Sequence, residues 1–308
     1  MSSKKTDVSR RTFLGDSVKA AAGIAAGSAL GFYNFGNATP GKDPGSKMKF
    51  GLVTYLWGKD WDLPTLIRNC ETANAMGVEL RVEHAHGVHA GMNKRQRLEV
   101  KLRFENSPIT NIGMGTNWAF HYPDPERLKK EIQGAKDYIK LSSDTGGSGV
   151  KVKPNGLPEE IPPEKTMKQI GESLNFIGKY AADLGQVIRV EVHGRDTQQL
   201  PNMKKIFDHV TEKNVGMCWN CNRQDLDGKG LEYNFNLVKD RFGDTVHVRE
   251  FDDPNYPYQK LLEMFVEMDY DGWILLEARG NVPDRIKAIA KQQELFKNMV
   301  AKAQANVG

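Results

Sequence analysis

The segment Val187-Ile188-Arg189-Val190-Glu191-Val192-His193-Gly194 alternates polar and branched apolar residues. Successive side chains of a strand point to opposite faces, so Arg189, Glu191 and His193 share one face and Ile188, Val190 and Val192 the other. A solvent-washed edge strand has the same alternation. Three later segments favour another setting: Val215-Gly216-Met217-Cys218-Trp219-Asn220, Val246-His247-Val248-Arg249-Glu250 and Gly272-Trp273-Ile274-Leu275-Leu276-Glu277 each carry a ligand-type residue toward the end. The steps from Glu191 to Asn220, His247 and Glu277 are 29, 27 and 30 residues. That is the length of one strand, one helix and two loops. Four consecutive strand–helix units would bring Glu191, Asn220, His247 and Glu277 to one end of a sheet, as a metal site at the mouth of a barrel.

Upstream, the same alternation runs back to residue 48. Strands are expected at Met48–Tyr55, Val78–Glu83, Ile109–Met114 and Gly149–Lys153, with helices near Leu63–Ala75, Lys94–Glu105, Pro125–Leu141 and Pro163–Leu184. Later helices fall near Leu200–Thr211, Asn234–Arg241, Pro257–Met268 and Asp284–Lys302. Eight units in series without a second compositional zone predict an α/β chain folded as a single (β/α)₈ barrel over residues 48–302. Long loops are expected at His84–Asn93, Gly115–Asp124, Pro154–Pro162 and Phe251–Tyr256, at the end where barrel enzymes keep their active sites.

Residues 1–40 read differently. Ser9-Arg10-Arg11-Thr12-Phe13-Leu14-Gly15 is a twin-arginine pair ahead of the weakly hydrophobic run Val18–Phe32, which resembles a twin-arginine export signal. The expectation is export of the folded protein by that machinery to the periplasm, and a soluble enzyme after signal removal. Residues 1–38 carry three of the four net positive charges. The remaining body is near neutral and shows no electrostatic footprint for nucleic acid. The sequence leaves oligomerisation open. Cys70, Cys218 and Cys221 suggest packing rather than a disulfide framework or zinc knuckle.

Carboxylate, carbonyl and imidazole donors suit a divalent ion such as Mn²⁺ or Mg²⁺. Such an ion clamps neighbouring sugar oxygens while a nearby carboxylate moves a proton. Glu79 and Arg81 on the second strand, His84 just beyond it, and Arg249 on the seventh are read as facing inward toward a substrate. Trp118 is expected in a mouth loop, stacking on a sugar ring. Lys153 and His193, nearest the mouth, are candidates to polarise a carbonyl or pass a proton, alongside Glu191 and Glu277.

The order acid, amide, His, Glu at the ends of strands five to eight resembles the xylose-isomerase-like TIM-barrel superfamily of sugar phosphate isomerases and epimerases. Gly77-Val78-Glu79-Leu80-Arg81, His84-Ala85-His86-Gly87-Val88, Gly149–Pro158 and Cys218-Trp219-Asn220-Cys221-Asn222 resemble an exported subgroup. The resemblance implies Glu191 and Glu277 as metal ligands that also exchange the substrate proton, with His247 a ligand and Asn222 and Arg223 near the substrate. Asn220 stands where the family's epimerase branch has an aspartate, and Arg223 where it has a histidine. These replacements imply weaker metal binding and an altered hydroxyl contact. The expected activity is isomerisation or epimerisation of a non-phosphorylated carbohydrate through an enediolate. A lyase or hydratase acting on a 3-keto sugar or glycal, and a non-catalytic carbohydrate-binding barrel, are the alternatives.

Overall fold

The computed structural model describes residues 44–307, so the twin-arginine segment lies outside the described residues. Eight parallel strands close into a barrel in chain order: β1 (Lys49–Val53), β2 (Gly77–Arg81), β3 (Thr110–Ala119), β4 (Gly149–Lys153), β5 (Val187–Glu191), β6 (Val215–Asn220), β7 (Phe242–Val248) and β8 (Trp273–Leu276). Register between β1 and β8, where Phe50 faces Ile274, shuts the ring. The helices alternating with them are α1 (Leu63–Thr72), α2 (Lys94–Glu105), α3 (Pro125–Asp144), α4 (Pro163–Asp183), α5 (Leu200–Asp208), α6 (Leu231–Val238), α7 (Tyr258–Glu267) and α8 (Arg285–Val307). Among the described residues no helix is long and apolar enough to cross a membrane.

Local chemistry explains the boundaries. Asp62 and Asp124 cap α1 and α3 by accepting from the amides of Thr65 and Arg127, and a prolyl residue opens each helix near its cap. Asn93 and Gln96 form a reciprocal capping box on α2. Ile188, Val190 and Val192 face outward and are fully buried against the helices, together with Leu174, Ile177 and Met203.

Inside the ring the chemistry is polar. A small apolar cluster of Val53, Ile112 and Leu275 fills one side. The other side is ionic. Arg189 donates to both carboxylate oxygens of Asp244 at 2.8 and 2.7 Å, and to the Ile112 carbonyl and Ser148 hydroxyl. One turn of side chains nearer the mouth, Lys151 meets Glu191 and His247 meets Glu79. A buried charge is tolerated only with such partners.

Two strands differ from the sequence expectation. β3 runs on through Ala119, so Gly115–Ala119 is strand rather than loop, and its register shifts between Gly115 and Ala119. β7 begins at Phe242, four residues early, because its first half pairs with Met217 on β6.

Candidate metal and sugar site

Glu191 closes β5 and Glu277 follows β8, while His247 sits one residue inside the end of β7. Each offers a ligand atom, and these atoms lie within 4.8 Å of one another, all three side chains being buried. His247 Nε2 lies 3.3 Å from Glu79 Oε2, and its Nδ1 has no protein partner. A ring nitrogen held by a carboxylate with the opposite nitrogen free is the usual disposition of a metal-bound imidazole. Two carboxylates and one imidazole therefore fit a divalent cation.

Glu191 is the most constrained of the three. Oε2 accepts from Lys151 Nζ at 2.5 Å, with Lys153 Nζ at 3.9 Å, and Oε1 accepts from Asn220 Nδ2 at 3.0 Å. Burial pushes its pKa up, but Lys151 and Lys153 outweigh that and hold the carboxyl well below the usual range. A carboxylate has about four acceptor positions, so these contacts leave room for a cation. Asn220 turns its amide nitrogen to Glu191 and to the Val192 carbonyl, orienting the carboxylate.

Glu277 is held more loosely. Its Oε2 has Arg279 Nη2 at 3.4 Å, at the long edge of a hydrogen bond. Burial lowers the Lys153 ammonium to about 8, against the pull of Glu191. Burial also lowers His193 to about 4, so its ring is neutral near pH 7. His193 Nδ1 pairs with Asn155 Oδ1 at 3.0 Å. Since that oxygen only accepts, Nδ1 carries the hydrogen and Nε2 is left as a base. For His247, burial disfavours charge, but the Cys218 and Glu79 side chains raise it well above the ordinary value.

The expected substrate residues divide. Arg81 lies at the mouth, its guanidinium over Tyr55 at 5.1 Å and its Nη1 3.4 Å from Asn117 Oδ1. His84 pairs with Thr54 Oγ1 at 3.1 Å, half-buried beside it. Arg249 follows β7 with its backbone amide on Tyr258 Oη. Asn222 is buried and ties its amide to the Val192 carbonyl at 2.8 Å, so it braces the end of β5.

Three expectations need correction. Glu79 is fully buried beneath His247 and does not reach the mouth. Trp118 packs outside the barrel on Tyr138 and over Gly134 of α3, because β3 runs on through this stretch and alternation from inward-facing Gly115 sends Trp118 outward. Arg223 opens a short 3₁₀ turn with its side chain 79% exposed, paired with Asp227 at 3.7 Å. Sequence reasoning turns Lys151 inward with Lys153, to pair or to serve the site, and it pairs with Glu191; Tyr55 and Arg279 were missed. Arg279 lies beyond the last strand, where no periodicity points to it.

Structural comparison agrees with this architecture. An E. coli 3-keto-D-glucoside 4-epimerase, YcjR, in its apo form matches with a TM-score of 0.69 at 14% identity, over 82% of this chain and 99% of that one. An L-ribulose 3-epimerase matches with a TM-score of 0.72 at 12% identity, over 84% and 96%. An IOLI protein with a bound zinc atom matches with a TM-score of 0.68 at 16% identity, over 83% and 99%. No curated protein matches the sequence. The family model described as xylose isomerase-like TIM barrel matches residues 67–299, most of the barrel. The chain belongs to the xylose isomerase-like TIM barrel family.

Proposed function

We propose that the chain is a divalent-metal-dependent isomerase or epimerase of a non-phosphorylated carbohydrate, working by proton transfer next to a carbonyl. The observation that carries this reading is the convergence of Glu191, His247 and Glu277 within 4.8 Å, beside Lys153 and His193. The structural likeness to a 3-keto-D-glucoside 4-epimerase and an L-ribulose 3-epimerase supports it. Glu191, His247 and Glu277 would hold the ion, with the Asn220 amide orienting Glu191 and Glu79 orienting His247. A bound divalent cation supplies Lewis acidity toward adjacent sugar oxygens.

The chain's own residues then divide the work. Glu277, held by a single long contact, is the carboxylate free to take the proton α to the carbonyl. Glu191 is pinned between Lys151 and Asn220, which makes it a poor base and a good anchor. Lys153 presents a cation to the developing oxyanion, and neutral His193 offers Nε2 as the second proton carrier. Positioned acid–base groups of this kind contribute roughly 10²–10⁴ in rate.

The same asymmetry favours a second reading. One loosely held carboxylate, with the Lys153 ammonium as proton donor and His193 Nε2 as a second base, also suits elimination from, or hydration of, a 3-keto sugar. Incubation with keto sugars in D₂O and Mn²⁺ separates the two. Deuterium uptake without change of formula marks epimerisation, and gain or loss of water marks the lyase or hydratase. Absence of both from a broad panel of keto sugars would sink proton transfer and leave a carbohydrate-binding barrel. We further propose, from the twin-arginine motif in residues 1–40, that the chain is exported to the periplasm, which fractionation of cells with and without Arg10→Lys and Arg11→Lys would test.

A further inference from the structure

The rim on the β8–β1–β2 side carries more positive charge than the proton chemistry uses. Tyr55, just past β1, has the Arg81 guanidinium at 5.1 Å and the Arg279 guanidinium at 5.8 Å from its ring centre. Both guanidiniums thus lie against one aromatic ring, a weakly favourable contact for each. Neither has a strong anionic partner. Arg81 reaches Asn117 Oδ1 at 3.4 Å, and Arg279 reaches Glu277 Oε2 at the same distance. Lys153 adds a third cation, and its nearest acid, Glu191 at 3.9 Å, is already taken by Lys151. Glu250 is turned to the backbone, its Oε1 accepting from the amides of Arg279 and Gly280 at 3.0 and 2.5 Å. Of the three cations only Arg279 contacts Glu277, itself a proposed metal ligand, so Arg81 has no carboxylate partner, and a bound divalent ion would add to the positive charge.

Surplus cations that flank a site raise the local concentration of anionic ligands. Guanidinium forks match the plane of a carboxylate bidentately. The neighbouring amides of Arg279 and Gly280 are occupied by Glu250, which favours a planar anion that guanidiniums alone satisfy over a tetrahedral one that wants backbone donors as well. We infer that the substrate is an acidic sugar, its carboxylate bound by Arg81 and Arg279 and its carbonyl end turned to Glu277 and Lys153. The inference rests on the proton-transfer reading and adds the substrate's charge to it.

Calorimetric titration of the Mn²⁺-supplemented protein with D-glucuronate and D-galacturonate, against D-glucose and D-galactose, tests it. Charge-assisted hydrogen bonds predict that the uronates bind at least about tenfold more tightly. The margin should shrink with added salt, vanish in Arg81→Gln and Arg279→Gln, and survive in part in Arg81→Lys. Circular dichroism checks that each variant folds; if one does not, the wild-type margin and its salt dependence still decide. Neutral sugars binding as tightly as the uronates would overturn the inference. D-glucose 6-phosphate binding more tightly than D-glucuronate would overturn it too, by assigning the clamp to a phosphoryl group. The underlying reading fails separately: if no sugar, acidic or neutral, exchanges protons in D₂O, proton transfer falls while the affinity margin still judges the clamp. If a neutral keto sugar exchanges and the margin is absent, only the acidic substrate falls.

Discussion

Glu191 and Glu277 look equivalent in the sequence, one at the end of each of two strands, yet their surroundings separate them. Glu191→Gln leaves Lys151 as a buried cation without its anion, so a stability loss of about 3–5 kcal/mol is expected by urea unfolding, together with loss of bound Mn²⁺. Glu277→Gln breaks only a long contact to a half-exposed arginine within the chain, so the fold should hold, while loss of a proposed ligand and base drops turnover by at least roughly 10²–10⁴. Equal losses of stability in both would contradict the division of labour. Asp225 offers a pH test outside the metal ligands. Burial raises it to about 8, although Tyr256 Oη and the Asn222 amide both donate to its Oδ2. A carboxyl whose folded pKa exceeds its unfolded one stabilises fully below about pH 4 and loses that contribution as pH rises through about 8. Unfolding free energy should therefore fall across that window, and Asp225→Asn should flatten the slope. At this scale the sequence was legible where alternation was intact, as for Glu191, His247 and Glu277. Asn222 and Arg223 were beyond it, since a 3₁₀ turn after β6 faces one inward and the other to solvent.

Among the elements, β3 shows how one irregularity propagates. Strand periodicity predicts eight strands and their order, because each is a short branched-apolar run bounded by turn residues. The extension of β3 through Ala119 leaves no such mark, so the sequence puts Trp118 in a mouth loop while it packs on α3. β3 also supplies Gly115, where an added Cβ would meet Glu79 Oε1 at 2.4 Å. Gly115→Ala must push Glu79 from beneath His247. The expected cost is about 1–3 kcal/mol from overpacking, together with weaker Mn²⁺ binding in a calorimetric titration. Unchanged metal affinity would show that Glu79 does not orient the imidazole. Lower in the barrel, Arg189 ties β5 to β7 and to the carbonyl of Ile112. Asp244→Ala should cost about 3–5 kcal/mol through the stranded guanidinium without touching the site.

Taken as a whole, the ring places each candidate ligand on a different strand, so no single local segment contains the site. It became legible only because the chain repeats at intervals near thirty residues and the last four repeats end alike. The column of ion pairs was less visible, since inward polar residues on strands do not reveal whom they meet. That column has a consequence for how the protein matures. Lys151 already stands against Glu191, and Glu79 against His247, so the scaffold supplies its own counterions before any cation arrives. Folding and loading are thereby uncoupled: a chelator should abolish the proposed proton exchange yet shift the melting temperature only slightly, because an ion can be bound after the chain has folded.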